Sequence, residues 1–220
     1  MISKNKFIIL LYMTVLIILT ACNNESASEK IYTHLEEAVQ LEKEFEDQQD
    51  LITDLEVKEQ EIYSEIIDLG MEEYNQIVEL ADEAIEIIHE RKTLIEKEKN
   101  SIEASQEEFR KIEPLLEEYE DGKTKDKGKE MFEVMINRYT SYEKLNKEYI
   151  NSLEKEEKLY ELLKDEDLEQ DQLTNQINKI NDSYQQVLKA NDAFNSYTVQ
   201  YNDLKREFYE LAEIEVNYKE

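Results

Sequence analysis

The chain has 220 residues, with 54 Asp and Glu against 26 Lys and Arg, a formal charge of -28, one Pro, three Gly, one Cys, two His and no Trp. So few Pro and Gly cannot supply the tight turns of a many-stranded sheet, which makes sandwiches, barrels and doubly wound sheets poor candidates. The acidic excess argues against nucleic-acid binding, whose affinity comes from Lys and Arg on phosphates, and a single Cys excludes an intrachain disulfide framework and a thiolate metal cluster.

At the N-terminus Lys4 and Lys6 precede an almost unbroken apolar run of 13 residues, Phe7 to Leu19. A membrane span takes about 20 apolar residues, so this run has instead the length of a signal-peptide core. Leu19-Thr20-Ala21-Cys22 follows and matches the bacterial lipobox: a Leu, two small residues that fit a peptidase cleft, then the Cys whose thiol is acylated. The expected organisation is a lipoprotein signal peptide over 1–21, a lipid-anchored tether over 22–28 and a helical bundle domain over 29–220. Cys22 would carry a diacylglyceryl group as the new N-terminus, and two acyl chains suffice for stable anchoring. That places the protein on the extracytoplasmic face of the cell membrane, with a formal charge of -30 once Lys4 and Lys6 are removed.

From Cys22 onward, Leu, Ile, Val and Phe supply 48 of 199 residues, more than a disordered chain carries. They recur in heptads. The first segment places Ile31, Ala38, Phe45, Ile52 and Ile66 seven apart, skipping only Glu59, beside Leu41, Leu55, Ile62 and Leu69. The second gives Tyr74, Ala81, Ile88, Ile95, Ile102 and Phe109, the third Phe132, Tyr139, Leu153 and Tyr160 beside Met135, Tyr142, Tyr149 and Leu163. The fourth gives Leu173, Ile180, Val187, Phe194, Tyr201 and Phe208. One apolar seam per helix specifies helix-on-helix packing.

The breaks predict helices over 28–69, 72–121, 129–164 and 168–218. Ser26 to Glu29 has capping-box spacing at the start. Gly70 stands where a left-handed C-cap would close the first helix. Pro114 should kink the last two turns of the second. Asp121 to Gly128 (DGKTKDKG) reads as the clearest loop, and Asp167 to Gln170 as the capping box of the fourth helix. Matched lengths and short loops favour an all-α, elongated, antiparallel up-and-down bundle of four long helices. The rival is a smaller number of longer helices pairing between chains as a coiled coil.

Four stretches, IYTHLEEAVQLEKEFEDQQ, KEQEIYSEIIDLGMEEYNQI, EKEKNSIEASQEEFRKIEPLLE and LLKDEDLEQDQLTNQINKINDSYQQVLKANDAFNSYTVQYNDLKREFYE, resemble the YkyA-like family of cell-wall binding lipoproteins of low-GC Gram-positive bacteria, with IIDLGM and SIEAS the most specific parts. The resemblance covers nearly all of the chain after Cys22. It implies a helical, lipid-anchored surface protein and supplies no catalytic residues.

No enzyme motif emerges. Glu86-Ile87-Ile88-His89 is half of a di-iron helix pattern, but the second half is missing, because His34 has Ile31 three residues before it. Asp165, Asp167, Glu169 and Asp171 start like a calcium loop, yet Gln170 and Gln176 occupy the positions that need Gly and Glu. Tyr197, Tyr201 and Tyr209 would suit a sugar-stacking ladder, or seam and flank packing. The expectation is therefore a protein with no catalytic residues, cofactor or metal, whose partners are the membrane through Cys22 and the cell wall or an envelope protein. The alternative is a structural spacer or a holdase-like protein acting on secreted clients at the membrane surface. Lys123, Lys125, Lys127 and Lys129 give Gly122 to Lys129 a net charge of +3. About six residues, spanning at most about 20 Å, separate the lipid from the first helix. In an up-and-down bundle the first helix's start then shares the membrane end with those lysines, which are expected to form a basic loop facing the headgroups.

Overall fold

The computed structural model describes residues 26–120 and 122–214. Among these the chain forms six α-helices and no strand: α1 (Ala27–Leu41), α2 (Lys43–Asp68), α3 (Tyr74–Phe109), α4 (Ile112–Leu116), α5 (Lys123–Leu163) and α6 (Gln170–Leu211), with one turn of 3-10 helix at Met71–Glu73. End to end, α1 with α2 and α3 with α4 make two broken rods, so the fold is the expected four-rod bundle.

Ser26 caps α1 as its spacing predicts. Its hydroxyl accepts from the Glu29 N–H at 3.2 Å, while the Glu29 carboxylate accepts from the Ser26 N–H at 2.7 Å. The first rod is not continuous, however. In a straight helix the Phe45 N–H would donate to the Leu41 carbonyl. Here the Ser101 hydroxyl of α3 stands between them, donating to the Leu41 carbonyl at 2.6 Å and accepting from the Phe45 N–H at 3.1 Å. A side chain wedged into the backbone ladder bends a helix without Gly or Pro. The break leaves Glu42 free to face inward, where it takes the Arg138 guanidinium in a two-pronged pair at 2.7 and 2.8 Å and a hydroxyl from Ser105 at 3.0 Å.

The other boundaries depart from expectation for identifiable reasons. Gly70 is not a left-handed cap: it is extended at φ -95°, its N–H donating to the Glu73 carboxylate at 3.1 Å, so it opens the next turn rather than closing the last. Pro114 does more than kink. Lacking an N–H, it leaves the Arg110 carbonyl without its helical donor; the Glu113 N–H donates there instead at 3.2 Å, and the helix is interrupted between Phe109 and Ile112. The capping box of α6 is Glu169 with Gln172, two residues later than predicted. The largest correction is DGKTKDKG. Helix α5 begins at Lys123, so residues 123–128 are helical rather than part of a loop, Gly122 is the N-cap, and Gly128 is buried within the helix. A Cβ at Gly128 would lie 2.5 Å from Leu116 Cδ2 and 3.0 Å from Phe208 Cε2, so this glycine serves close packing of α4 and α6 on α5. Gly128→Ala should therefore lower the melting temperature although Ala is the better helix former by about 1 kcal/mol; overpacking costs about 1–3 kcal/mol. A thermal melt at or above wild type would refute the close approach.

The chain runs up, down, up, down. One end holds the start of α1, α4, the start of α5 and the end of α6: Ser28 meets the Tyr119 hydroxyl at 2.7 Å, and Thr124 donates to the Leu211 carbonyl at 3.2 Å. At the other end the Tyr74 hydroxyl donates to the Lys164 carbonyl, and the Lys164 ammonium reaches Asp82 at 2.8 Å. Two apolar clusters fill the interior. The first, near the Ser26 end, draws on all four rods through Ile31, Leu35, Phe109, Met131, Tyr139 and Phe208. Each such buried side chain contributes about 1.5–3 kcal/mol. The second, near the Gly70 end, is built from α2, α3 and α5 (Ile52, Ile62, Ile88, Ile95, Leu153, Tyr160) and takes nothing from α6. Over that stretch α6 rests on α5 alone.

Candidate functional site

That missing contact opens a groove of about 640 Å³ between α2 and the first half of α6, floored by α5 and by one residue of α3. Ile177, Tyr184, Val187 and Leu188 form the α6 wall, with Tyr184 41% and Leu188 56% exposed. Glu56, Glu59, Gln60 and Tyr63 form the α2 wall. A volume in this range, with an apolar α6 wall facing polar groups that converge from α2 and the floor, has the anatomy of a ligand site.

The floor is a charged network around Arg91 of α3, whose side chain is 4% exposed. Its guanidinium is paired with Glu59, lies 2.9 Å from Glu156 and 3.2 Å from Glu56, and donates to the Tyr149 hydroxyl at 2.8 and 3.1 Å. Tyr149 passes a hydrogen bond on to Glu56 at 2.6 Å and lies beneath the guanidinium, 5.3 Å from ring centroid to carbon. Three carboxylates thus share one cation. Burial, and then the neighbouring Glu156 charge, push the Glu59 carboxyl well above its ordinary value of 4.5 despite Arg91. The Tyr149, Tyr160 and Tyr184 phenols are also raised, by burial first, and stay protonated at neutral pH. Glu156, 2% exposed, gives one oxygen to Arg91, while its Oε1 is buried without a hydrogen-bond partner.

A further buried carboxylate lies between this network and the Arg138–Glu42 pair. Glu98 of α3 is 3% exposed and accepts from Gln49. Burial pushes its carboxyl up to about 7, the hydrogen bond from Gln49 opposing the rise.

The residues singled out in the sequence fall elsewhere. Cys22 lies outside the described residues, among which no helix is long and apolar enough to cross a membrane. The start of α1 and the four lysines do share an end, but the lysines do not form a free basic loop. They occupy the first turns of α5, where Lys125 and Lys129 pair with Glu117 at 3.0 and 2.7 Å, and Lys127 with Glu130 and Glu207 at 2.7 and 2.9 Å; Lys123 is exposed. Acids therefore offset most of the local positive charge. His34 meets Glu108 at 2.6 Å and His89 meets Glu157 at 3.2 Å, on separate parts of α3's surroundings. Tyr201 and Tyr209 are buried, as seam packing requires, and present no ladder. Arg91, Glu156, Tyr149 and Tyr184 belong to no site motif in the sequence. The available signal was polar residues in heptad seams: Glu59 interrupts the first, Arg91 follows Ile77 and Ala84 by sevens, and Glu156 follows Met135, Tyr142 and Tyr149.

Residues 26–211, which span every rod and the whole groove, match the profile of the YkyA family, described as "Putative cell-wall binding lipoprotein". The chain belongs to the YkyA family. It is 35% identical over 196 residues to the uncharacterized lipoprotein YkyA of Bacillus subtilis (strain 168), covering 89% of this chain and 88% of that protein. Among solved structures it resembles a conserved protein of unknown function from Staphylococcus aureus, with a TM-score of 0.67 at 14% identity over 86% of this chain and 98% of the other. At that identity the likeness concerns the fold alone. For this YkyA-family chain, both SIEAS serines now have physical roles, Ser101 in the α1–α2 break and Ser105 on Glu42.

Proposed function

We propose that this protein is a non-catalytic lipoprotein, held at the outer face of the cell membrane by acylated Cys22, that binds an envelope component in the groove between α2 and α6. The groove's place at the far end of the bundle carries the reading. Only three residues separate Cys22 from the cap at Ser26, a reach of at most about 15 Å, so the Ser26 end stands at the membrane. Glu156 is 33 residues along α5 from Lys123, about 50 Å at 1.5 Å per residue. The anchor is thus near one end, and the groove faces the envelope near the other. The family description, cell-wall binding, supports the same reading. The lysines of α5, compensated as they are, add little attraction to headgroups, and attachment falls to the lipid.

With a formal charge of -30 after Cys22, the protein repels anionic wall polymers at range. Binding to wall therefore works through neutral or cationic groups, or through a divalent bridge. Sedimentation with purified wall, with and without chelator, tests this. We expect wild-type protein to co-sediment and Leu188→Gln to be depleted from the pellet. No co-sedimentation under either condition would overturn wall binding. Anchoring is tested separately: Cys22→Ser should leave the membrane fraction or remain unprocessed, and unchanged fractionation with normal processing would refute acylation at Cys22.

A further inference from the structure

We propose that the groove between α2 and α6 receives a peptide bearing a lysine-type side chain, whose ammonium is accepted by Glu156 Oε1 and whose aliphatic stem packs on Tyr184, Val187 and Leu188. The inference rests on the groove being the binding surface.

Charge selects the ligand's sign. Glu56, Glu59 and Glu156 face a single guanidinium, Arg91, and the other polar groups of the lining, Gln60, Ser152, Asn181 and the tyrosine hydroxyls, are neutral. A floor with carboxylates in excess rejects an anion and favours a cation. The hydrogen-bond inventory selects its shape. Glu156 Oε2 is taken by Arg91 at 2.9 Å, and Oε1 is buried with no partner. A buried acceptor left unmade is costly, and a donor arriving there recovers that cost. One available oxygen suits a point donor such as an ammonium. A guanidinium, which grips a carboxylate with two parallel bonds, finds its second acceptor occupied. Tyr184 stands beside Glu156, near enough for that carboxylate's charge and hydrogen bonding to act on its phenol, and is 41% exposed, so the phenol is the group an arriving ammonium displaces. Its ring can swing outward to admit the ammonium and then lie along the stem, with a further attraction between cation and ring face. Apolar flanking residues of the peptide would meet Ile177, Val187 and the exposed Leu188.

The test uses the processed protein, acylated at Cys22, in phosphatidylcholine nanodiscs, titrated calorimetrically against empty nanodiscs as blank. The probes are three short synthetic peptides with leucines around one central residue: lysine, Nε-acetyl-lysine or arginine. We expect the acetyl-lysine peptide to bind at least tenfold more weakly than the lysine peptide, and the arginine peptide about fivefold more weakly. Leu188→Gln, at an exposed position, should weaken the lysine peptide at least fivefold with an unchanged melting temperature. Glu156→Gln should erase the preference for lysine over acetyl-lysine, with folding checked by circular dichroism. Equal affinities for lysine and acetyl-lysine, or no measurable binding of either, would overturn the inference. Wall sedimentation separates the two readings. Wild-type co-sedimentation without lysine preference leaves wall binding standing and removes the lysine pocket, whereas lysine preference without co-sedimentation does the reverse.

Discussion

Arg91→Met should lower the melting temperature by about 10–15 °C. The guanidinium is the shared counter-ion of Glu59 and Glu156, 7% and 2% exposed. Removing it leaves two carboxylates in low dielectric with no cation. Breaking a buried ion pair from one side costs about 3–5 kcal/mol, and a chain of this size loses about 2–4 °C per kcal/mol. Arg91→Lys should recover only part of this, because an ammonium cannot hold Glu59, Glu156, Glu56 and Tyr149 in one planar fork. The triple change Arg91→Met, Glu59→Leu, Glu156→Leu should return stability to near or above wild type, since well-packed apolar groups often replace a buried charge network without loss. Together these melts ask whether the network serves stability or the groove. A single Arg91→Met melting within about 2 °C of wild type would show that the floor is not desolvated.

Stability should fall as pH rises from 5.5 to 8, and Glu98 should account for much of the change. In the unfolded chain this carboxyl titrates near its ordinary value of 4.5; in the bundle burial pushes it up to about 7. Between those values the folded state binds the extra proton, so raising the pH through this window draws the equilibrium toward the unfolded chain. The stabilisation is complete below the unfolded value and lost as pH passes the folded one. The difference is on the order of 2–3 kcal/mol, or several degrees. Glu59 is raised in the same direction, and the rising negative charge of the whole chain adds self-repulsion. Glu98→Gln keeps an acceptor for Gln49 and removes the charge, so it should melt higher than wild type at pH 8 and depend less on pH. Wild type melting higher at pH 8 than at 5.5, or a variant with the wild-type slope, would refute this account.

The long-range architecture was legible because heptad seams constrain every turn of a rod. Ile31, Ala38, Ile52 and Ile66 are buried as their spacing requires, and so are Met135, Tyr142 and Tyr160. The breaks were less so, because local signals there compete with tertiary contacts. DGKTKDKG carries two glycines and reads as a turn, yet Gly128 is helical because α4 and α6 crowd that face. The bend at Glu42 had no local signal: its cause, Ser101, is about sixty residues away in sequence. The groove was hidden for a related reason. Val187 continues the fourth seam at the correct spacing, but spacing cannot show that α2 does not reach it. Glu59, by contrast, was visible as the one polar residue in an otherwise apolar row. The partners that make it informative, Arg91 and Glu156, emerge once the seams of three rods are aligned at the same height.

The one-sided seating of α6 divides the molecule into halves of unequal cooperativity. From Ala190 to Leu211 the helix is tied to the other rods by Phe194, Tyr201, Phe208, the pairing of Lys205 with Glu36 and the Thr198 contact to Arg138. From Gln170 to about Val187 it has α5 as its only broad support. Segments with fewer buried apolar contacts open at lower free energy than the global transition, so the first half of α6 is the natural unit of local opening, hinged where the aromatic cluster begins. An occupant bridging α2 and α6 would supply the missing second support, and by mass action would favour the closed form in proportion to its own concentration. Binding in this family would then register as a stiffening of the bundle's free tip, with the membrane-side half unchanged.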